Sequence, residues 1–188
     1  MSALRLRLLA FALTVSSFPA GAQSFEFDPA KTKIRFTLEN VLHTVHGKFK
    51  LKRGSIAIDP DSGKATGEIV VDVASGATGS SSRDRRMHDE VLESRRYPEA
   101  TFTPSRVDGK LGATGEPPIA VHGVLNLHGA DHELTLLFQA QRAGDQYTLS
   151  TYFVIPYVEW GMKNPSTFLL KVESYVEMDI KTTIHAGS

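Results

Sequence analysis

The chain has 188 residues, with 21 lysines and arginines against 21 aspartates and glutamates and no cysteine. That balance disfavours a nucleic-acid surface. The lack of thiols excludes disulfides, thiol catalysis, iron–sulfur ligation and thiolate zinc sites, so stability must come from packing and the hydrogen-bond ladder.

Residues 1–22 read as a secretory leader. Arg5 and Arg7 supply a positive start, Leu8 to Phe18 an apolar stretch, and Ala20, Gly21 and Ala22 a small-residue cleavage site. The apolar stretch is well short of the roughly 20 residues a spanning helix needs, which argues against an uncleaved anchor. Cleavage after Ala22 takes 22 residues from the 188 and leaves 166 beginning at Gln23, a length that fits one domain over residues 23–188. The loss of Arg5 and Arg7 leaves 19 basic residues against 21 acidic ones.

From there the pattern is mostly of period two, which marks strands with one face in water. Ile34, Phe36 and Leu38 alternate in a strand around 32–40, and Phe49, Leu51, Ile56 and Ile58 belong to one around 44–58. The parity change between Leu51 and Ile56 calls for a bulge at Arg53-Gly54. Asp59, Pro60 and Gly63 make a turn, because proline presets φ and glycine tolerates a positive one. Ile69, Val71 and Val73 form a third strand, 101–107 a fourth and 119–127 a fifth. Two further strands, 132–142 and 145–155, form a hairpin over Gly144 and Asp145. The last strand is expected over 167–181, with Phe168, Leu170, Val172, Val176, Met178 and Ile180 on its apolar face.

The exception is the stretch from Arg83 to Ser94, where Met87, Val91 and Leu92 make one narrow apolar stripe among charges. The spacing predicts a short helix over about 82–94. A capping box of Ser81 and Asp84 starts it, Pro98 prevents its continuation, and an apolar surface lies beneath the stripe. Eight neighbour-connected antiparallel strands with one helix point to an all-β, up-and-down barrel that can enclose one small ligand, with a two-sheet sandwich as the alternative.

Several blocks then carry a resemblance. They are Asp28-Pro29, Lys33 to Phe36, Val45 to Phe49, Gly54 to Ile56, Asp59-Pro60, Ser75 with Thr78-Gly79, Arg83-Asp84, Tyr97 to Glu99 with Thr101-Phe102, and Val121 to Gly129. In order, over about residues 25–183, they resemble the YceI-like family. The resemblance implies an eight-stranded lipocalin-like barrel, usually secreted to the bacterial periplasm, whose apolar tunnel holds a polyisoprenoid chain or similar lipid. It implies no agreed enzymatic activity and no defined ligand contact at any single residue.

The chemistry-bearing residues fit that expectation. His43 and His46 fall on opposite faces of a strand, and His122 and His128 are separated along one, so neither pair makes a metal site. No serine sits in a Gly-x-Ser-x-Gly elbow. Phe36, Leu38, Phe49, Phe138, Phe153, Leu170, Val172 and Val176 are the inward candidates, and Met87 and Val91 the helix's contribution to the same apolar tunnel. Arg83 and Arg86 are candidates for a phosphate or carboxylate headgroup, since guanidinium matches such groups bidentately. The alternative for them is a solvated face paired with neighbouring acids, and Arg83 with Asp84 reads as an ion pair or cap. Trp160 is either a gate at the tunnel mouth or a plug in one end. The expected function is a secreted or periplasmic binding protein, not an enzyme, that carries or sequesters an isoprenoid lipid without a cofactor. A ligand-free structural or stress-related barrel and an enzyme acting on an isoprenoid lipid are the alternatives, and both a monomer and a homodimer stay open.

Overall fold

The computed structural model describes residues 22–109, 117–168 and 170–185. Apart from its last residue, the expected leader lies outside them. The strands are β1 (Gln23–Glu26), β2 (Lys33–Glu39), β3 (Thr44–Ile58), β4 (Ala65–Ala77), β5 (Glu99–Asp108), β6 (Ile119–Leu127), β7 (Ala130–Ala143), β8 (Gln146–Ile155) and β9 (Val176–His185). From β2 they run in the order β2-β9-β8-β7-β6-β5-β4, and β3 bonds to both β2 and β4, closing an eight-stranded antiparallel barrel. Closure leaves no room for a sandwich. β1 was not expected from the sequence, since four residues with one buried side chain, Phe25, give almost no periodic signal. It pairs with the far half of β3, Gln23 opposite Ile58, on the edge that β2 leaves free.

The long β3 serves both parts because it bends. Its pairing with β4 slips between Leu51 and Arg53, one residue from the expected site, and the slip swaps which parity faces the lumen. A second irregularity near Lys48 and Lys50 is larger. There the Ser75 hydroxyl donates to the Asp72 carbonyl at 2.5 Å and accepts from the Lys50 amide at 2.8 Å, which repairs a ladder that backbone alone cannot complete. Gly47 stands opposite Phe36, and a Cβ there would lie 2.2 Å from the ring, so only glycine lets Phe36 lie flat on the wall.

The helical segment is shorter than expected and changes type. α1 spans Ser81–Arg86 and runs on into a π-helical turn, Met87–Val91, closed by the Leu92 amide on the Met87 carbonyl at 2.8 Å. The five-residue reach of that turn places Met87, Val91 and Leu92 on one side, where all three pack on the core. Two expectations fail at its start. Ser80 is the N-cap residue and makes no side-chain cap, and Arg83 and Asp84 do not pair with each other. Instead both reach Thr78: Asp84 Oδ1 accepts from the Thr78 amide at 2.8 Å and its hydroxyl at 2.5 Å, and Arg83 Nε donates to that hydroxyl at 2.9 Å. The preceding turn supplies a better donor than the helix end.

The last strand also differs. It covers Val176–His185 rather than 167–181, since its partner β2 ends at Glu39 and the Glu173 amide on the Glu39 carbonyl at 3.0 Å comes near the limit of that pairing. Before it the chain turns, with the Thr167 amide on the Leu170 carbonyl at 2.8 Å, and Phe168, expected on the apolar face, points into solvent at 97 % exposure.

Candidate functional site

The two ends of the barrel differ. At the end of the β3–β4 and β7–β8 turns, Phe25, Tyr147, Leu149 and Ile184 form a buried cluster, with Phe138 packed on it. Phe102, Ile119, Val121 and Leu136 add a second cluster that also touches Phe138. Phe138 is thus the floor between them. The opposite end carries α1, the β2–β3 turn at 40–43 and the connector from β8 to β9, and between floor and mouth lies a cavity of about 640 Å³.

Inward-facing residues of the alternating strands make its walls: Phe36 and Leu38 from β2, Phe49 from β3, Phe138 from β7, Phe153 from β8 and Val176 from β9. Phe36 and Phe49 pack ring on ring at 5.2 Å between centroids. Met87 and Val91 line it from the helical side. Leu170 and Val172 line it from the connector, not from a strand. The Val172 backbone N–H donates to the Ser166 hydroxyl at 2.9 Å and its carbonyl accepts from the Asn164 side-chain Nδ2 at 3.2 Å, so an irregular segment still has its backbone held on both sides.

Sequence reasoning missed Tyr157 and Met162, both buried and both in the lining. They stand in a turn-rich segment without period, and only their apolar character among Gly161, Asn164 and Pro165 hinted at burial. Tyr157 donates its hydroxyl to the Glu173 carbonyl at 2.7 Å, and burial pushes its phenol up to about 12. It is a neutral strut between the two halves of the connector. Trp160, read as a gate or plug, is not among the residues that line the cavity: its indole stacks on His132 of β7 with centroids 3.8 Å apart and planes 7° apart, and it packs against the core cluster that Tyr157 and Met162 belong to.

Polar groups gather at the mouth. Arg83, Arg86, Ser80, Ser82, Asn40 and His43 all border the cavity there, whereas no Asp or Glu is among the described residues that line it. Arg86 is weakly partnered: Glu90 lies 3.7 Å away but accepts from Lys163 at 2.7 Å, and Arg86 Nε is buried without a hydrogen bond. The Lys163 contact, helped by Arg86, holds the Glu90 carboxyl below its ordinary range and ties the π turn to the connector. No group of three or more potential metal ligands occurs among the described residues. A relay-like chain does exist elsewhere, with His122 Nε2 2.9 Å from Asp108 and Nδ1 2.9 Å from the Thr135 hydroxyl. His122 alternates with the inward-facing Val121, which places this chain on the outer wall, across the sheet from the cavity.

Comparison with known proteins agrees with this architecture. The model of the YceI-like domain matches residues 25–184. The chain is similar in structure to Burkholderia cenocepacia BcnA, with a TM-score of 0.67 at 18% identity over 84% of this chain and 98% of that one. A polyisoprenoid-binding domain from Saccharophagus degradans gives 0.66 at 20% identity, over 87% and 99%. The Campylobacter jejuni YCEI protein gives 0.56 at 14% identity, over the whole of both chains. Comparison with curated proteins returned no significant match. With the blocks in order, the closed barrel and the domain match running from β1 to β9, the chain belongs to the YceI-like family.

Proposed function

We propose that the protein is an exported carrier that holds one long-chain isoprenoid, a polyprenyl or quinone-like lipid, in the barrel and performs no chemistry on it. The observation that carries this reading is the cavity: about 640 Å³, mostly apolar along its walls, free of carboxylates among the described lining residues, and with its arginines at the mouth. That volume falls inside the roughly 300–1,000 Å³ of small-molecule sites. An interior filled by its own side chains would leave no such space, which disfavours the purely structural barrel. Transfer of a five-carbon isoprene unit from water to such walls is worth on the order of 4 kcal/mol before ordering costs. A few units suffice for tight binding, and an uncharged chain fits walls that carry no charge below the mouth.

Arg83 and Arg86 then meet the polar end of the lipid, with Phe36, Leu38, Phe49, Phe138, Phe153, Leu170, Val172, Val176, Met87 and Val91 around its chain. The leader motif in residues 1–22 supports a periplasmic or secreted location. Native mass spectrometry of the mature protein, followed by organic extraction, tests the reading. The expected result is a bound mass that the solvent releases as an isoprenoid lipid. A protein that carries no lipid and takes up neither farnesol nor a ubiquinone would overturn it.

A further inference from the structure

Among the described residues the most exposed large apolar side chains are Phe168, Leu42 and Val41, at 97%, 75% and 68%. They are far apart in sequence but not in the fold. The Val41 amide bonds to the Lys171 carbonyl at 3.2 Å, and Asn40 bridges to Val172, so the β2–β3 turn and the connector form one joined tip. The same two segments line the cavity mouth through Asn40, His43, Leu170 and Val172. Each segment therefore turns some side chains toward the lumen and leaves others in water beside its opening.

We infer that Val41, Leu42 and Phe168 form a docking tip for a lipid bilayer, which seats the tunnel mouth on the membrane so that the ligand's chain passes between bilayer and barrel without crossing water. The part that concerns transfer rests on the carrier reading above. Three considerations favour a bilayer over a second copy of the chain. Three side chains offer far less than the roughly 800 Å² per partner of a stable protein interface, while shallow insertion of a few apolar side chains suits a membrane surface. The tip is continuous with the mouth, where an apolar cargo has to enter. The charges that line the mouth, Arg83 and Arg86, are cationic, and Lys171 lies in the tip itself, which suits anionic headgroups. Glu39 and Glu173 at its base weaken that attraction, so apolar contact is the main term.

The test compares the mature protein with a Val41→Ser, Leu42→Ser, Phe168→Ser variant, in which no cavity-lining residue changes. Co-sedimentation with vesicles of phosphatidylethanolamine and phosphatidylglycerol should fall about tenfold or more in the variant. The rate of transfer of a fluorescent farnesol analogue from those vesicles should fall with it, and in the wild type should rise with vesicle concentration. Melting temperature and final farnesol occupancy should not change. Equal vesicle binding by both proteins, or none by the wild type, overturns the inference. So does a wild-type dimer that the variant converts to monomer, which would assign the tip to a second copy. If the wild type binds vesicles and the variant does not, yet neither takes up farnesol, the docking tip stands and the carrier reading fails.

Discussion

At the scale of single residues, the blocks that carry the family resemblance turn out to be joints. Gly47 lets Phe36 lie on the wall, Ser75 mends the ladder where β4 bulges, and Thr78 gathers Arg83 and Asp84 at the start of α1. The surface of the cavity is mostly apolar side chains, with Phe36 and Phe49 of the same blocks among them. Val172 tests whether that surface holds the ligand. It borders a real space and its backbone is held on both sides by Asn164 and Ser166. Val172→Trp should therefore fold, fill part of the cavity and lower the co-purifying lipid measured by extraction. If the space were already packed, the same change would cost roughly 1–3 kcal/mol by overpacking. A folded variant with unchanged lipid would remove Val172 from the binding site.

Among the elements, the helical segment is the part of the wall that contributes no fully buried residue. Its buried contact is limited to Met87, Val91 and Leu92, and its tie to the connector is the Glu90–Lys163 pair. Val91→Asp should lower stability by roughly 1–3 kcal/mol, because it sets a charge without a partner against apolar walls. Thermal melting and lipid content both read the effect, and wild-type values for both would show that this face covers nothing. The ion pair adds a pH dependence whose sign follows from its cause. Glu90 is held below its ordinary value of 4.5 by the Lys163 hydrogen bond, so its contribution is present above that value and is lost as pH falls through the lowered one. Hydrogen exchange of the amides from Met87 to Leu92, corrected for the intrinsic rate, should quicken as pH falls below the ordinary Glu value of 4.5 and through the lowered one. Glu90→Gln should exchange faster at neutral pH and show less of that acid-induced change. An identical pH profile in the variant would mean that the pair is no latch.

For the molecule as a whole, eight strands closed on themselves leave β1 as an addition on one edge of β3, and the end of the barrel nearest β1 is the one that Phe25 helps to close. The described strands thus begin with Gln23, the residue that the leader motif places first in the mature protein. Export should release a chain starting at Gln23, as read by N-terminal sequencing of the processed form. Soluble cytoplasmic protein that retains Met1 would refute that assignment. No helix among the described residues is long and apolar enough to cross a membrane.

The barrel was legible in the sequence because a strand with one wet face must alternate, and six of the eight ring strands lie close to their expected spans, while β4 extends four residues past each end of the expected Ile69–Val73. The candidate wall residues were legible for the same reason, since parity alone decides which face Phe36, Phe138 or Phe153 takes. What alternation could not say is where pairing stops. Val172 and Leu170 reach the cavity from a connector, and Phe168, of the same parity, leaves it, because β2 runs out at Glu39 and a turn at Thr167 redirects the chain. Tyr157 and Met162 enter the lining from a segment with no period, and Trp160 stacks on His132, on the inward-facing parity of β7, and packs against the core without reaching the lining. Contacts between segments far apart in the chain have no local pattern, so only the folded barrel decides how its mouth is built, and whether its interior is packed or open.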